Sequence, residues 1–430
     1  MNFETLPINA RLLEPAEVAE RFVSNDTVVG KVASQNHVIV LGPRGSGKTT
    51  MLAMMTQPAQ RVWMRRFPES SPVSFLGILV RADLTWARQL RFLGRKLDDT
   101  DRRTLMLALY MNRSFMAMAR YTKDLLQHAL SDKQIPRSKY EAKIVEFIRA
   151  PCRLSREVET LTDVKFELNE RNQRLWEAAY ANRLNAIGPE SGLRLDLFQA
   201  ASSLSEALQD LDLSSRLALL LDELELVPRE VRNYLREGLR DADSRVLLKL
   251  SLSPAENTVS DLVPETAGSE NDDFTFVDLS YPRRTHGEKF TSALLVDLAR
   301  RRGMRVTSSP QMLGRSRFEA GHSPPRGQSA YGEDSNLLDV FRSLAERDTS
   351  FAHYLARAHI RLDEMGDLSE LERAQSVRKI RDIVIVREAD LRRKREGRLR
   401  HVPERRPGQD PFRVYAGNSS VLALLEGNPR

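Results

Sequence analysis

The chain has 430 residues, a formal net charge of +7 and a single cysteine, Cys152. That length suits about two to three domains with a sizeable core, and one cysteine excludes an intrachain disulfide, as in proteins of a reducing compartment. The N-terminus lacks the basic and apolar regions of a signal peptide, and no apolar stretch reaches the roughly 20 residues of a membrane span, so a cytoplasmic location and no membrane contact are expected. The charge is unevenly placed. In residues 391–406, LRRKREGRLRHVPERR, eight Lys or Arg stand against two Glu, a net +6 of the chain's +7.

The first apolar run, HVIVL at 37–41, is short and unalternating, as a strand covered on both faces would be. It breaks into GPRGSGKTT, which fits G-x-x-x-x-G-K-[ST] from Gly42 to Thr49 and leads into a helical pattern. Gly42, Gly45 and Gly47 let the backbone curl so that its amides face phosphate oxygens, and the helix N-terminus adds positive potential. Lys48 is placed to reach the β and γ phosphates, and the Thr49 hydroxyl to ligate Mg²⁺. The candidate residues for binding a nucleotide's phosphates are therefore Gly42, Pro43, Arg44, Gly45, Ser46, Gly47, Lys48, Thr49 and Thr50.

A second strand is predicted in VSFLGILV (73–80). From 84 to 210 the periodicity is helical nearly throughout, which predicts a helical insertion. Its Met-rich part, TLMLALYMNRSFMAMARYTKDLL, reads as ordinary core at helical spacing, with an adaptable binding surface as the alternative. The third strand, LALLL (217–221), runs into Asp222 and Glu223. An acidic pair at the tip of a buried strand suits Asp222 to hold the Mg²⁺ shell and Glu223 to polarise an attacking water.

Between this strand and the next, REVRNYLREGLRDADSR carries Arg232, Arg236, Arg240 and Arg245. Arg240, near the helix C-terminus, is the candidate to reach the γ-phosphate of a neighbouring copy in a homo-oligomer; a solvated helix face is the competing reading. In the fourth strand, VLLKLSL (246–252), alternation puts Lys249, Ser251 and Ser253 on one face; if this strand lies beside the acid-tipped one, Ser251 is the candidate γ-phosphate sensor, and a strand end emerging into water is the competing reading. FTFVDL (274–279) is the fifth strand. Residues 306–334 are rich in Ser, Gly and Pro and read as a loop or linker, and three helices are predicted from 335 onward. The expected organisation is thus 1–83 as the first part of an ATPase core, 84–210 as the insertion, 211–305 as the rest of the core, 306–334 as linker and 335–430 as a helical lid. The fold class is α/β, with a parallel sheet of about five strands.

The stretches GPRGSGKTT, LLLDELEL, LLKLSLSP, RKIRDIVIVRE and GNPR together resemble the bacterial ATPases grouped with the origin-recognition-complex and cell-division-control initiator clade of AAA+ proteins. The resemblance implies strand order 5-1-4-3-2, ATP and Mg²⁺ as ligands, a helical lid, and commonly a C-terminal winged helix that binds DNA. It also makes Phe22 and Val23 candidates to cover the adenine. The lid motif of the clade, G-D-x-R, would correspond to Gly427, Asn428, Pro429 and Arg430, and the helix start announced by Asn-Pro suggests a chain truncated before the winged helix. The insertion exceeds what a minimal core of this kind needs, which speaks against ordinary ring assembly.

Three functions compete on these grounds. One is a nucleotide-driven switch that hydrolyses ATP. Another is a DNA-associated ATPase in which 391–406 touches duplex phosphates; without interleaved aromatics such contact would be sequence-independent and salt-sensitive, and a solvated basic linker is the alternative. The last is a non-hydrolysing ATP-binding scaffold whose insertion holds a protein partner, a role that would suit defence against phage. Absent N-K-x-D and L-S-G-G motifs argue against a GTPase and a transporter-type ATPase.

Overall fold

The computed structural model describes residues 10–23, 26–82, 97–131, 136–184, 195–214, 216–241, 243–254, 274–279, 284–313 and 337–378, with isolated residues between 380 and 422. They form two compact units, 10–279 and 284–422. This division precedes the 305/306 boundary expected from composition, because the helix of 284–301 makes its contacts within the second unit.

The first unit opens with a 3-10 turn at Ala10–Leu12 and α1 (Pro15–Arg21), which starts at a capping box between Glu14 and Glu17 with Pro15 in the first turn. Then come α2 (Asp26–Ala33), β1 (His37–Leu41), α3 (Lys48–Met54), α4 (Gln57–Arg66) and β2 (Leu76–Arg81). Four helices follow: α5 (Asp99–Ala129), α6 (Arg137–Cys152), α7 (Leu161–Tyr180) and α8 (Leu197–Asp210). Side chains of Asp98, Thr160 and Asp196 cap α5, α7 and α8. The unit continues through β3 (Leu217–Asp222), α9 (Arg229–Asp241), β4 (Val246–Leu252) and β5 (Phe274–Asp278).

All five strands pair in parallel in the order β2-β3-β4-β1-β5, the expected 5-1-4-3-2 read from the other edge. Every residue of β3 and β4 is buried, which is why β3 is apolar without alternation up to Asp222 and why Lys249 and Ser251 of β4 find their partners inside the fold. At roughly 2 kcal/mol for each buried leucine, the leucines of these two strands are a main source of the unit's stability. The long connection between β2 and β3 is helical, as read from the sequence, but it is not a detached lobe: α5 packs on β2 and α7, α6 packs on α8, and α8 backs β3 and β4. Met111, Phe115 and Met118 of α5 belong to the same hydrophobic cluster as the strands, so these methionines serve as core.

In the second unit, α10 (Arg284–Arg301) is followed by α11 (Ser309–Leu313), a short helix inside the stretch expected as linker; 314–336 lie outside the described residues. The three expected helices are α12 (Leu337–Arg347), α13 (Thr349–Arg357) and α14 (Glu370–Val377), gathered around Phe341, Leu344, Phe351, Met365 and Val377. The basic stretch 391–406 and residues 427–430 lie outside the described residues.

Candidate nucleotide-binding site

The site is built at the C-terminal tips of β1, β3 and β4. β1 ends at Leu41 and the chain turns through Gly42–Gly47 into α3. Gly45 and Gly47 have φ of 94° and 95°, the left-handed region where an L side chain is strained, and Gly47 is the residue from which α3 starts. Gly42 is required for a different reason: a Cβ there would collide with Ser46 Oγ and lie 3.0 Å from Leu279 Cβ. The loop therefore closes tightly, with the Ser46 N–H donating to the Pro43 carbonyl at 3.2 Å. Lys48 is buried at the start of α3 and donates to the carbonyls of Gly42 and Pro43 at 2.7 and 3.2 Å. These contacts fold its ammonium back over the loop where phosphates would sit.

The acidic pair lies two strands away, and β4 connects it to β1. Val40 of β1 is in register with Ser251 of β4, and Leu250 beside it is in register with Leu221 of β3. Ser251 is fully buried, donates its hydroxyl to Asp222 Oδ1 at 2.5 Å and accepts the backbone N–H of Glu223 at 3.1 Å. This bridge holds Asp222 in the strand while Glu223 turns out of it with φ 58° and ψ 44°, an uncommon backbone for a non-glycine residue. Glu223 begins the 3-10 turn Leu224–Leu226, and Glu225 in that turn accepts the Ser253 N–H at 3.1 Å. The three carboxylates at this tip thus have three different partners.

Glu223's own partner is Arg11, in the N-terminal turn, which forms an ion pair with Glu223 Oε2 and donates to the Ala82 carbonyl at 2.6 Å. Burial raises the Glu223 carboxyl above its ordinary range, the neighbouring Asp222 charge adds to this, and Arg11 opposes both. Sequence reasoning missed Arg11. The pair is 212 residues apart, and nothing in the local pattern around Arg11 marks it.

The residues fit a divalent cation. Asp222 is 1 % exposed, and its Oδ2 is a buried oxygen without a hydrogen-bond partner among the described residues, although Oδ1 is paired. A carboxylate oxygen left unpaired in the interior is costly, and hard oxygen donors of this kind suit Mg²⁺. Ser46 Oγ in the loop is likewise buried and unpaired among the described residues. Among the described residues no group of three or more His, Cys, Asp and Glu is placed to hold a metal ion by itself.

A model of the family described as ORC-CDC6-like matches residues 6–430, nearly the whole chain. The chain belongs to the ORC-CDC6-like family. Its parallel sheet and strand order are those of a P-loop, AAA+-type nucleotide-binding fold, as the sequence led one to expect. No curated protein and no solved structure matches the chain.

The structure distributes the other sequence-derived candidates of this ORC-CDC6-like protein unevenly. Arg240 is in α9, with its side chain outside the described residues. Arg232 donates to the Val227 carbonyl at 2.5 Å, and Arg245 is held by Asp243. Phe22, an expected adenine cover, is buried and packs edge-on against Trp63 with centroids 5.3 Å apart. Lys249 points to the other end of the sheet: its ammonium donates to the Ser34 and Asn36 carbonyls at 2.6 and 2.7 Å, where the chain leaves α2. The long insertion meets the site through α5, whose Arg113 donates to the Arg81 carbonyl at 2.7 Å. Among the described residues no helix is long and apolar enough to cross a membrane.

Proposed function

We propose that the protein binds ATP with Mg²⁺ at the Gly42–Thr50 loop and hydrolyses it, acting as a nucleotide-dependent switch. The observation that carries this reading is the division of labour at the tip of β3: Asp222 is anchored by Ser251 with its second oxygen unpaired, and Glu223 is turned out of the strand beside it. Adjacent carboxylates with different surroundings take different tasks.

In this reading the loop amides and Lys48 bind the β and γ phosphates, with Lys48 exchanging the carbonyls of Gly42 and Pro43 for phosphate oxygens. Thr49 and Asp222 would hold Mg²⁺, directly or through its water shell. When bound, that ion neutralises charge developing on the phosphate oxygens. Glu223 orients the attacking water and accepts its proton, and Ser251 keeps Asp222 and the Glu223 backbone in place. The +6 stretch 391–406 supports a further contact with duplex DNA phosphates.

Steady-state ATP hydrolysis by the purified protein, with and without duplex DNA, tests this beside Glu223→Gln. The expected result is Mg²⁺-dependent turnover that falls ~100- to 10,000-fold in the variant, the range for loss of a general base, and a stimulation by DNA that fades as salt rises. ATP binding with no turnover in the unaltered chain would replace this reading with the non-hydrolysing scaffold.

A further inference from the structure

Arg11 sits outside every motif of the nucleotide site, yet it pairs with Glu223. The turn that carries it is clamped by a different arginine. Arg81, the last residue of β2, is in register with Asp222, so its charge would be expected on the acidic tip. Instead its guanidinium donates to the backbone carbonyls of Arg11 at 2.9 Å and of Ala10 and Leu13 at 3.3 Å each. Arg81 fixes the turn, and the turn supplies the cation. A second tie, from the turn's downstream end, joins Glu14 to Arg120 of α5, and Arg113 on the same helix holds the Arg81 carbonyl.

The result is a glutamate restrained at both ends. The backbone N–H of Glu223 is tied to Ser251, and its carboxylate is tied to Arg11, which is itself braced on the Ala82 carbonyl. Asp222, Glu223 and Glu225 are three acidic groups within four residues and repel one another. Asp222 is drawn to Ser251 and Glu225 to the Ser253 N–H. Arg11 is what draws Glu223 away from both. The ion pair is made through Oε2, and a carboxylate has a second oxygen to offer a water. The many anchors on the turn suit a fixed support rather than a part that must withdraw.

We propose that Arg11 is a positioning residue for Glu223: by holding one carboxylate oxygen it sets the direction of the other toward the attacking water. The proposal rests on the reading of Glu223 as the group that activates water. A misplaced catalytic group of this kind costs on the order of 100-fold in rate. Arg11→Ala is therefore expected to lower kcat ~10- to 100-fold with KM and ATP affinity unchanged, and Arg11→Lys, which keeps the charge, to recover part of the loss. In the Glu223→Gln background the Arg11→Ala change should have little further effect, since its target is gone.

The unaltered chain, the three single variants and the double variant would be compared by steady-state and single-turnover hydrolysis, with binding of a fluorescent ATP analogue confirming that each is folded. If Glu223→Gln is inactive while Arg11→Ala retains or exceeds the original kcat, the positioning role is overturned and the role of Glu223 stands. Equal losses from Arg11→Ala in both backgrounds would make Arg11 a general structural support and overturn the proposal too. If Glu223→Gln keeps its turnover, the reading of Glu223 falls and takes the proposal with it.

Discussion

Two buried lysines lie at opposite ends of the central sheet and make nearly the same hydrogen bonds. Lys48 donates to two backbone carbonyls beyond the tip of β1, and Lys249 to two just ahead of its start. What separates them is the company they keep. Around Lys48 the backbone has two glycines at positive φ and a buried Ser46 hydroxyl unpaired among the described residues. Lys249 is fully buried, its ammonium lies 5.4 Å from the centre of the Phe75 ring, and its carbonyl partners follow α2. A lysine's own contacts therefore say little about its task; unsatisfied neighbours say more.

The comparison breaks most sharply on substitution. Lys48→Ala should lower kcat by about 1,000-fold or more, the scale on which a cation stabilises phosphoryl transfer, with a smaller loss of stability than at Lys249, because one of its two acceptors, the Pro43 carbonyl, belongs to an exposed residue and can turn to water. Lys249→Ala should do the reverse. It leaves a cavity at the sheet and two carbonyls without their donor, and a loss of roughly 3–5 kcal/mol in unfolding free energy is expected. ATP affinity of the remaining folded protein should be unchanged. If Lys249→Ala weakened ATP binding at unaltered stability, the assignment of the two lysines to separate roles would be wrong.

Ser251 stands between these extremes, since it shares a face of β4 with Lys249 but serves the acidic tip. Ser251→Ala removes the donor to Asp222 Oδ1 and the acceptor of the Glu223 N–H. A fall of about 10- to 100-fold in kcat is expected, the usual effect of removing a supporting hydrogen bond around a ligand carboxylate, together with a higher Mg²⁺ requirement. Titrating Mg²⁺ at saturating ATP checks both effects.

Burial on both faces writes itself as an unbroken apolar run, and for that reason β1 and β3 are legible in the sequence, while β4 is legible as a leucine-rich run broken by Lys249 and Ser251. The loop is legible because phosphate binding needs glycines at fixed spacing, and the acidic pair because it ends an apolar strand. Lys249 is visible as an anomaly among leucines, but its partners are two backbone carbonyls, which carry no residue identity. Arg11 leaves no trace for the same reason: its turn is held through carbonyls by Arg81, and its pairing with Glu223 depends on the fold bringing distant segments together. The division after 279 is also hidden, because only residues 279–283 separate β5 from α10, too short a stretch to read as a linker.

The smallest expected effect concerns pH. Burial lowers the Lys249 ammonium from 10.5 to about 7, whereas in the unfolded chain it would hold its proton up to the ordinary range. Between these values the unfolded state binds more protons than the folded one, so this group's contribution to stability rises with pH through that window and is least favourable below about 7. The upper limit is about 1.4 kcal/mol per pH unit. Two carbonyl acceptors favour the charged ammonium, so the slope should be well below that. Urea unfolding at about pH 7 and about pH 8.5, inside that window, for the unaltered chain and for Lys249→Met, isolates it: the difference in unfolding free energy between the two proteins should shift toward the lysine form at the higher pH. No shift, or one in the opposite direction, would mean that the carbonyls outweigh burial and that Lys249 stays charged, in which case its β4 position holds a buried cation bound to the segment after α2 and not a neutral amine.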